Sequence, residues 1–196
     1  DIEVPRCFEV EAQLQGLDKV YSGTIRLGVR TDTGDITGKV LESSDVPEIS
    51  MGQLQAALDW HLGTIVMPAP AYSAVKHKGI PLYRYARRNT PVPPKLRSAT
   101  IYEWKALGYE SPDLTHRLRC SSGTYVRSLA ESLGGCLGSS ATVHSLRRES
   151  IADFRVEEAM TLDELKSVSS AVLRGRLEAG LSRLIDRVLC SFALID

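Results

Sequence analysis

The segment CSSGTYVRSLAESLG, residues 120–134, puts three hydroxyls, a flexible glycine, a phenol and a guanidinium within eight residues, Cys120 to Arg127. THRLRC before it alternates polar and apolar residues, whereas VRSLAESLGG after it has helical spacing. Strand, tight turn and helix bring side chains and backbone together at one point, a common address for a site in a protein of mixed structure. The spacing projects Arg127 from the first helical turn, near Tyr125. A guanidinium there calls for an anion. Ser121 or Ser122 could be imagined as a nucleophile, but CSSGT is not the G-x-S-x-G elbow and no His/Asp order completes a triad, so a hydrolase is set aside.

Two further stretches carry chemistry. In TDTGD, residues 31–35, Asp32 and Asp35 could work as paired acids or bind a metal, although turns favour Asp for local hydrogen bonds, and from the residues alone the turn is preferred. KHKGIPLYRYARRNTPVPPKLR, residues 76–97, has seven cations and no acid: Lys76, Lys78, Arg84, Arg87, Arg88, Lys95 and Arg97. Tyr83 and Tyr85 are interleaved with them. Cations neutralise phosphates and aromatic faces stack on unpaired bases, so this composition suits RNA. No wide apolar face accompanies it, which argues against a membrane surface. A plain solvated basic surface would read the same way. Prolines 91, 93 and 94 keep the segment extended, as a rim beside a groove would be. HSLRRESI, residues 144–151, adds Arg147 and Arg148, suited to phosphate or acidic neighbours, and Leu146, which on its own reads as core.

The elements around these residues are legible from pattern. Residues 7–17 suit a short helix, and KVYSGTIRLG (19–28) a strand; GKVLES resumes one after TDTGDITG, so 19–43 reads as a hairpin. Residues 50–63 open with a Ser50/Gln53 capping box and end on Gly63, a helix. Residues 67–79 are irregular or edge strand, punctuated by proline. A short helix follows at 81–89, strands at 97–110 and 114–121, a helix at 126–138 and strand over most of 141–154. Residues 161–186 start with a Thr161/Glu164 capping box and read as helix, broken near Gly175 or Gly180. The expected fold is α+β: a mixed, largely antiparallel sheet flanked by helices, in one domain over residues 1–196.

Formal net charge is zero over 196 residues, but its distribution is uneven: residues 1–60 balance to −6, 61–148 to +9 and 149–196 to −3. A basic middle third points to a local polyanion surface. Cys7, Cys120, Cys136 and Cys190 form no C-x-x-C pair and lack histidines at ligand spacing, so neither zinc nor a disulfide framework is expected, and the thiols are read as reduced. No apolar run reaches transmembrane length. The chain starts at Asp1 rather than Met, which suggests a processed or partial chain.

Together the segments KVYSGTIRLGVRTDTGDITG, MPAPAYSAVKHKGIPLYRYARRNTPV, CSSGTYVRSLAESLGGCLG and ATVHSLRRESI resemble, in order and spacing from about residue 17 to 165, the TruB-type tRNA pseudouridine synthases. The resemblance implies isomerisation of uridine to pseudouridine in RNA, typically in the tRNA T-loop, with the target base flipped out and with neither metal nor other cofactor. It implies that Tyr21 stacks on the base and is linked to proton removal, that Arg127 pairs with a catalytic aspartate, that Tyr125 lines the pocket and that Leu146 packs on the base. Asp35 matches a polar position near the pocket, and Lys76 a position that meets RNA. Lys78, Arg84, Arg87, Arg88 and Arg147 join it as expected RNA contacts.

The aspartate itself should lie in a G-x-L-D-P-x-A-x-G segment, which family order would put upstream of residue 1 and which residues 1–196 do not contain. QGLDKVY has Asp18 after Leu17, but Lys19 replaces the proline and the stretch is the later Lys-x-Tyr motif. A C-terminal PUA domain is not expected within this chain, which ends soon after the helical extension 161–186. MPAPAYS departs from the usual Pro-Pro, and Asn89 stands where Gly is common. Two readings follow. One is a synthase that is inactive as this chain alone. The other is a synthase-derived RNA-binding scaffold with protein partners in a ribonucleoprotein, such as an organellar ribosome or its assembly machinery. Either implies an intracellular location, cytoplasmic or organellar, the mitochondrion first among organelles.

Overall fold

The computed structural model describes residues 14–192, with side chains as far as Leu184. Contacts divide the chain into two units, Gln15–Val156 and a second whose described part is Leu14 and residues 157–192. The helix expected at 7–17 lies outside the described residues except for its last turn.

The larger unit is built on a six-stranded antiparallel sheet. Its strands are β1 (Lys19–Leu27), β4 (Gly63–Pro68), β7 (Leu96–Glu110), β8 (Asp113–Cys120), β9 (Ala141–Ile151) and β10 (Phe154–Arg155), in the order β10-β9-β1-β8-β7-β4. β2 (Val29–Thr31) and β3 (Val40–Ser43) form a separate ribbon, and β5 (Lys76–His77) and β6 (Ile80–Pro81) a small hairpin. Residues 19–43 therefore do not make the expected hairpin within the main sheet. Gly28, at φ 84°, turns the chain out of β1. Its N–H goes to the Ser140 carbonyl (2.7 Å) and its carbonyl accepts from Ser44 N–H (2.9 Å), so β1 is free to pair with β8 and β9. The Asp35–Val143 bridge is parallel.

Period-two alternation decides the layers. Ile25, Leu27, Trp104, Leu114, Leu118 and Val143 point to one face and are buried against α1 (Met51–Asp59), through Leu54 and Leu58, and α3 (Val126–Cys136), through Leu129 and Leu133. The Ser50/Gln53 capping box is formed as expected. The opposite face carries exposed ion pairs: Glu103 with Arg117 (3.0 Å) and Lys105 (3.4 Å), and Asp18 with Arg119 (3.6 Å). Inside the core Trp104 Nε1 donates to His116 Nδ1 (3.1 Å), and burial pushes the imidazole down to about 4, so it stays neutral.

In the second unit α4 (Leu162–Ser167) starts with the Thr161/Glu164 capping box, and α5 (Ser170–Phe192) runs unbroken through Gly175 and Gly180. The break expected at those glycines falls instead at Val168, which is extended, with Ser169 Oγ accepting from Val172 N–H (3.5 Å). A helical glycine costs only about 1 kcal/mol relative to alanine, too little to interrupt a long helix. Among the described residues no helix is long and apolar enough to cross a membrane.

Candidate active site

The turn between β8 and α3 is fixed by its own hydroxyls. Ser121 Oγ accepts from Thr100 N–H (2.8 Å) and Thr124 Oγ1 donates to the Ser121 carbonyl (2.9 Å), while Gly123 takes φ 79°. Ser121 is thus a splice to β7 rather than a nucleophile. Tyr125 occupies the N-cap position and packs, half-buried, on the core. One residue into the helix, Arg127 sends Nη1 to the Thr33 carbonyl (3.1 Å) and Nη2 to the Tyr72 carbonyl (3.1 Å). Its stem lies over Gly34, where φ is 71° and a Cβ would come within 3.1 Å of Arg127 Cβ. Among the described residues no carboxylate comes within ion-pairing distance of Arg127.

Asp35 is not its partner. The Asp35 carboxylate accepts from Thr37 N–H (3.0 Å) and Thr37 Oγ1 (2.7 Å), and Asp32 accepts from Lys39 N–H (2.8 Å). Both acids do the local work that turns ask of Asp. What the TDTGD loop brings to the site is backbone: Val143 N–H donates to the Gly34 carbonyl (3.1 Å) and Ile36 N–H to the Val143 carbonyl (2.9 Å), seating the loop on β9 under α3. Asp18 is also taken, by Arg119 and by the Tyr102 hydroxyl (3.2 Å).

Register places the remaining candidates. Tyr21 of β1 stands opposite Leu118 on β8 and Arg148 on β9, and Gly23 stands opposite His116 and Leu146. Opposed residues share a face, so Tyr21, Leu146 and Arg148 all lie on the side that α3 covers. Tyr21 packs on the core there, whereas Leu146 remains 43% exposed, a large apolar side chain open on the site's own face. Burial, more than the neighbouring Cys120, holds the Tyr21 phenol above its usual range against the pull of the Arg148 guanidinium beside its hydroxyl. Arg147 opposes Ser22 on the outer face and pairs with Glu149 (3.6 Å), which also accepts from Ser22. The structure thus puts Arg148, not Arg147, beside Tyr21. The bulge that skips His144 opposite Thr24 and Ile25 sets this choice, since an unbroken register from Val143 would bring Arg147 opposite Tyr21, and no local signal in the sequence marks it.

The basic arm, residues 76–97, springs from the loop that follows β4. Its hairpin turns at Lys78 (φ 49°) and Gly79 (φ 81°) and leads into α2 (Leu82–Arg87). Lys76, Lys78, Arg84, Arg87 and Arg88 are exposed, and among the described residues none of the arm's seven cations has an acidic partner. By contrast Lys105 of β7 and Arg117 and Arg119 of β8 are paired with acids. The interleaved tyrosines make contacts within the arm itself. Tyr85 donates to the His77 carbonyl (3.1 Å) with its ring against the His77 imidazole, and Tyr83 is half-buried with Arg87 over its ring (5.4 Å). They hold the arm in shape.

A six-stranded antiparallel sheet with helices on one face, an arginine at a strand-to-helix turn and an unpaired basic arm together define a pseudouridine-synthase-like fold. The same fold is seen in a Cbf5-Nop10-Gar1 complex, with TM-score 0.56 and 26% identity over 79% of this chain and 37% of that one. It is seen as well in an H/ACA RNP bound to a substrate RNA containing 2'-deoxyuridine, with TM-score 0.54 and 22% identity. Residues 6–126 match the family model of the TruB family pseudouridylate synthase N-terminal domain, and the chain belongs to that family. The chain is 37% identical over 193 residues to tRNA pseudouridine synthase B of Francisella philomiragia, and 42% identical over 197 residues to that of Xanthomonas axonopodis pv. citri. These alignments take in 96% and 98% of the chain but 64% and 63% of those relatives.

Proposed function

We propose that this chain forms the uridine-handling face of a tRNA pseudouridine synthase, as a single synthase domain with a helical extension. The observation that carries it is the shared face: Tyr21, Leu146 and Arg148 on two adjacent strands, with Arg127 at the start of the helix over them. The reaction is an isomerisation. The bond from ribose C1′ to N1 breaks, C1′ bonds to C5, the C5 proton leaves and N1 gains one. An apolar floor at Leu146 and the ring of Tyr21 suit a base taken out of its stack. Tyr21 enters as a neutral phenol, able to donate or relay a proton but not poised as a phenolate. Arg127 uses one N–H each of Nη1 and Nη2 on carbonyls, which leaves Nε–H and two further N–H groups for a carboxylate. Such a charge-assisted pair would position an attacking aspartate and hold it ionised.

The arm supplies phosphate contacts, since its cations have no acids to satisfy them. The relatives above are tRNA pseudouridine synthases of bacteria, which favours this reading over a scaffold in an organellar ribonucleoprotein. Two measurements test it. The full-length protein should convert uridine in unmodified tRNA transcript, and residues 1–196 alone should not, since Asp18, Asp32 and Asp35 are engaged elsewhere; turnover by residues 1–196 would show that one of these acids attacks after all. A Lys76→Ala/Arg87→Ala/Arg88→Ala variant should bind the transcript more weakly, with a log–log salt slope lower by roughly 0.7 to 0.9 for each phosphate no longer neutralised. Unchanged affinity and slope would refute the arm's role.

A further inference from the structure

Between β4 and β7 the arm is not packed into the main core. Its buried Leu82, and Ala69 in the loop at its root, lie outside the cluster that joins sheet and helices. Its two ends are carried by the main sheet, where Met67 pairs with Arg97 and Pro68 with Leu96, and beyond them a short polar chain fixes it. Ala69 N–H donates to the Lys95 carbonyl (2.8 Å), closing the two ends of the arm on each other. Tyr83 N–H donates to the Ser73 carbonyl (3.2 Å) and Leu82 N–H to the Val75 carbonyl (2.7 Å), tying α2 back to the same loop. The start and the middle of that loop are in turn held by adjacent residues of α3. Ser128 Oγ donates to the Pro68 carbonyl (2.9 Å), and Arg127 Nη2 to the Tyr72 carbonyl (3.1 Å).

We propose that Ser128 is a positioning residue for RNA binding: its bond to the Pro68 carbonyl, beside the Arg127–Tyr72 bond, fixes the root of the basic arm relative to the uridine-handling face. The proposal rests on the reading of the arm as the phosphate-gripping surface. The physical argument is preorganisation. An arm free to shift beyond the end of the β4–β7 ladder must be ordered when it grips phosphates, and that entropy is subtracted from affinity. Because the first turn of α3 holds both the arm's root and the Arg127 guanidinium, gripping the backbone and placing the uridine become one geometric event.

The test compares variants of the full-length protein for equilibrium binding of unmodified tRNA transcript across a salt series, with melting temperature measured in parallel. Ser128→Ala should weaken binding about 3- to 10-fold, the effect of removing one hydrogen bond. Its salt slope should equal the wild type's, because the same phosphates are still gripped once the arm is placed. Ser128→Cys, nearly isosteric but a poor donor, should behave like the alanine variant and guards against loss by a packing defect. Ser128→Thr, which keeps the hydroxyl, should restore binding. A purely structural serine would lower the melting temperature and leave affinity unchanged. If Ser128→Ala binds like the wild type while the Lys76/Arg87/Arg88 triple variant is weakened, the positioning role is overturned. A reduced salt slope in Ser128→Ala would overturn it too, by showing that the serine touches phosphate itself. If the triple variant is not weakened, the underlying reading of the arm fails instead, and with it the proposal.

Discussion

Arg127 Nη1 donates to the carbonyl of Thr33, 94 residues earlier in the chain, at 3.1 Å. The side chain that most needs an anion is thus held by neutral oxygens, in a pose that leaves part of its fork free. Arg127→Lys keeps the charge but cannot reach two carbonyls and a third partner at once. In the full-length protein it should lower pseudouridine formation by roughly 100-fold, the scale of a misplaced group in a preorganised site. Retained turnover in single-turnover assays would show that the charge alone suffices.

The two arginines of HSLRRESI should behave oppositely. Arg148 stands beside the Tyr21 hydroxyl, and Arg147 is paired with Glu149 on the outer face. Arg148→Ala should reduce kcat/KM about 10- to 100-fold, the worth of a hydrogen bond to a charged group. Arg147→Ala should leave it within about twofold of wild type, since an exposed ion pair contributes little. Equal losses would contradict the register.

At Gly23 the backbone of β9 lies close against β1. A Cβ there would collide with the Ser145 carbonyl, backbone that cannot step aside without moving the strand. Gly23→Ala should cost about 1–3 kcal/mol of stability, as overpacking does, and disturb Leu146 directly opposite. Urea denaturation with an unchanged midpoint would refute the close approach.

His116 gives stability a pH dependence of definite sign. Its folded value is lowered from 6.5 to about 4 by burial, so the unfolded chain binds the proton more readily between those limits. The contribution is intact above the unfolded value. It declines as pH falls from about 6.5 to about 4 and reaches a loss on the order of 3 kcal/mol. His116→Gln, which keeps an acceptor for Trp104, should flatten the urea midpoint over that window. A slope unchanged by the substitution would assign the acid sensitivity to other groups.

How much of the fold and site is legible in the sequence depends on how local each feature is. The capping boxes at Ser50/Gln53 and Thr161/Glu164 and the strand-turn-helix around Gly123 involve neighbours in sequence, and they read correctly. The partner strands of β1 do not. Tyr21 meets Leu118 and Arg148, about a hundred residues away, and the bulges that choose Arg148 over Arg147 come from pairing rather than composition. The arm is visible as charge, but the tasks of Tyr83 and Tyr85 are not, because a ring that packs within a hairpin has the same letter as one that stacks on a base. Asp35 is drawn to the site by its motif, yet the turn read from its own residues is what its carboxylate serves, and only the structure shows that the loop contributes its backbone to the site.

The bulges in the β1–β9 ladder also govern how this sequence can drift. Outward residues such as Ser145 and Arg147 can be exchanged one by one, because each faces solvent and answers to no partner inside. Losing or gaining a single residue between His144 and Glu149 is another matter. It would send Leu146 and Arg148 to the outer surface and turn Ser145 and Arg147 inward, inverting the wall in one step. Substitutions can accumulate at the outward positions of this strand, but its length between the two bulges is inherited whole.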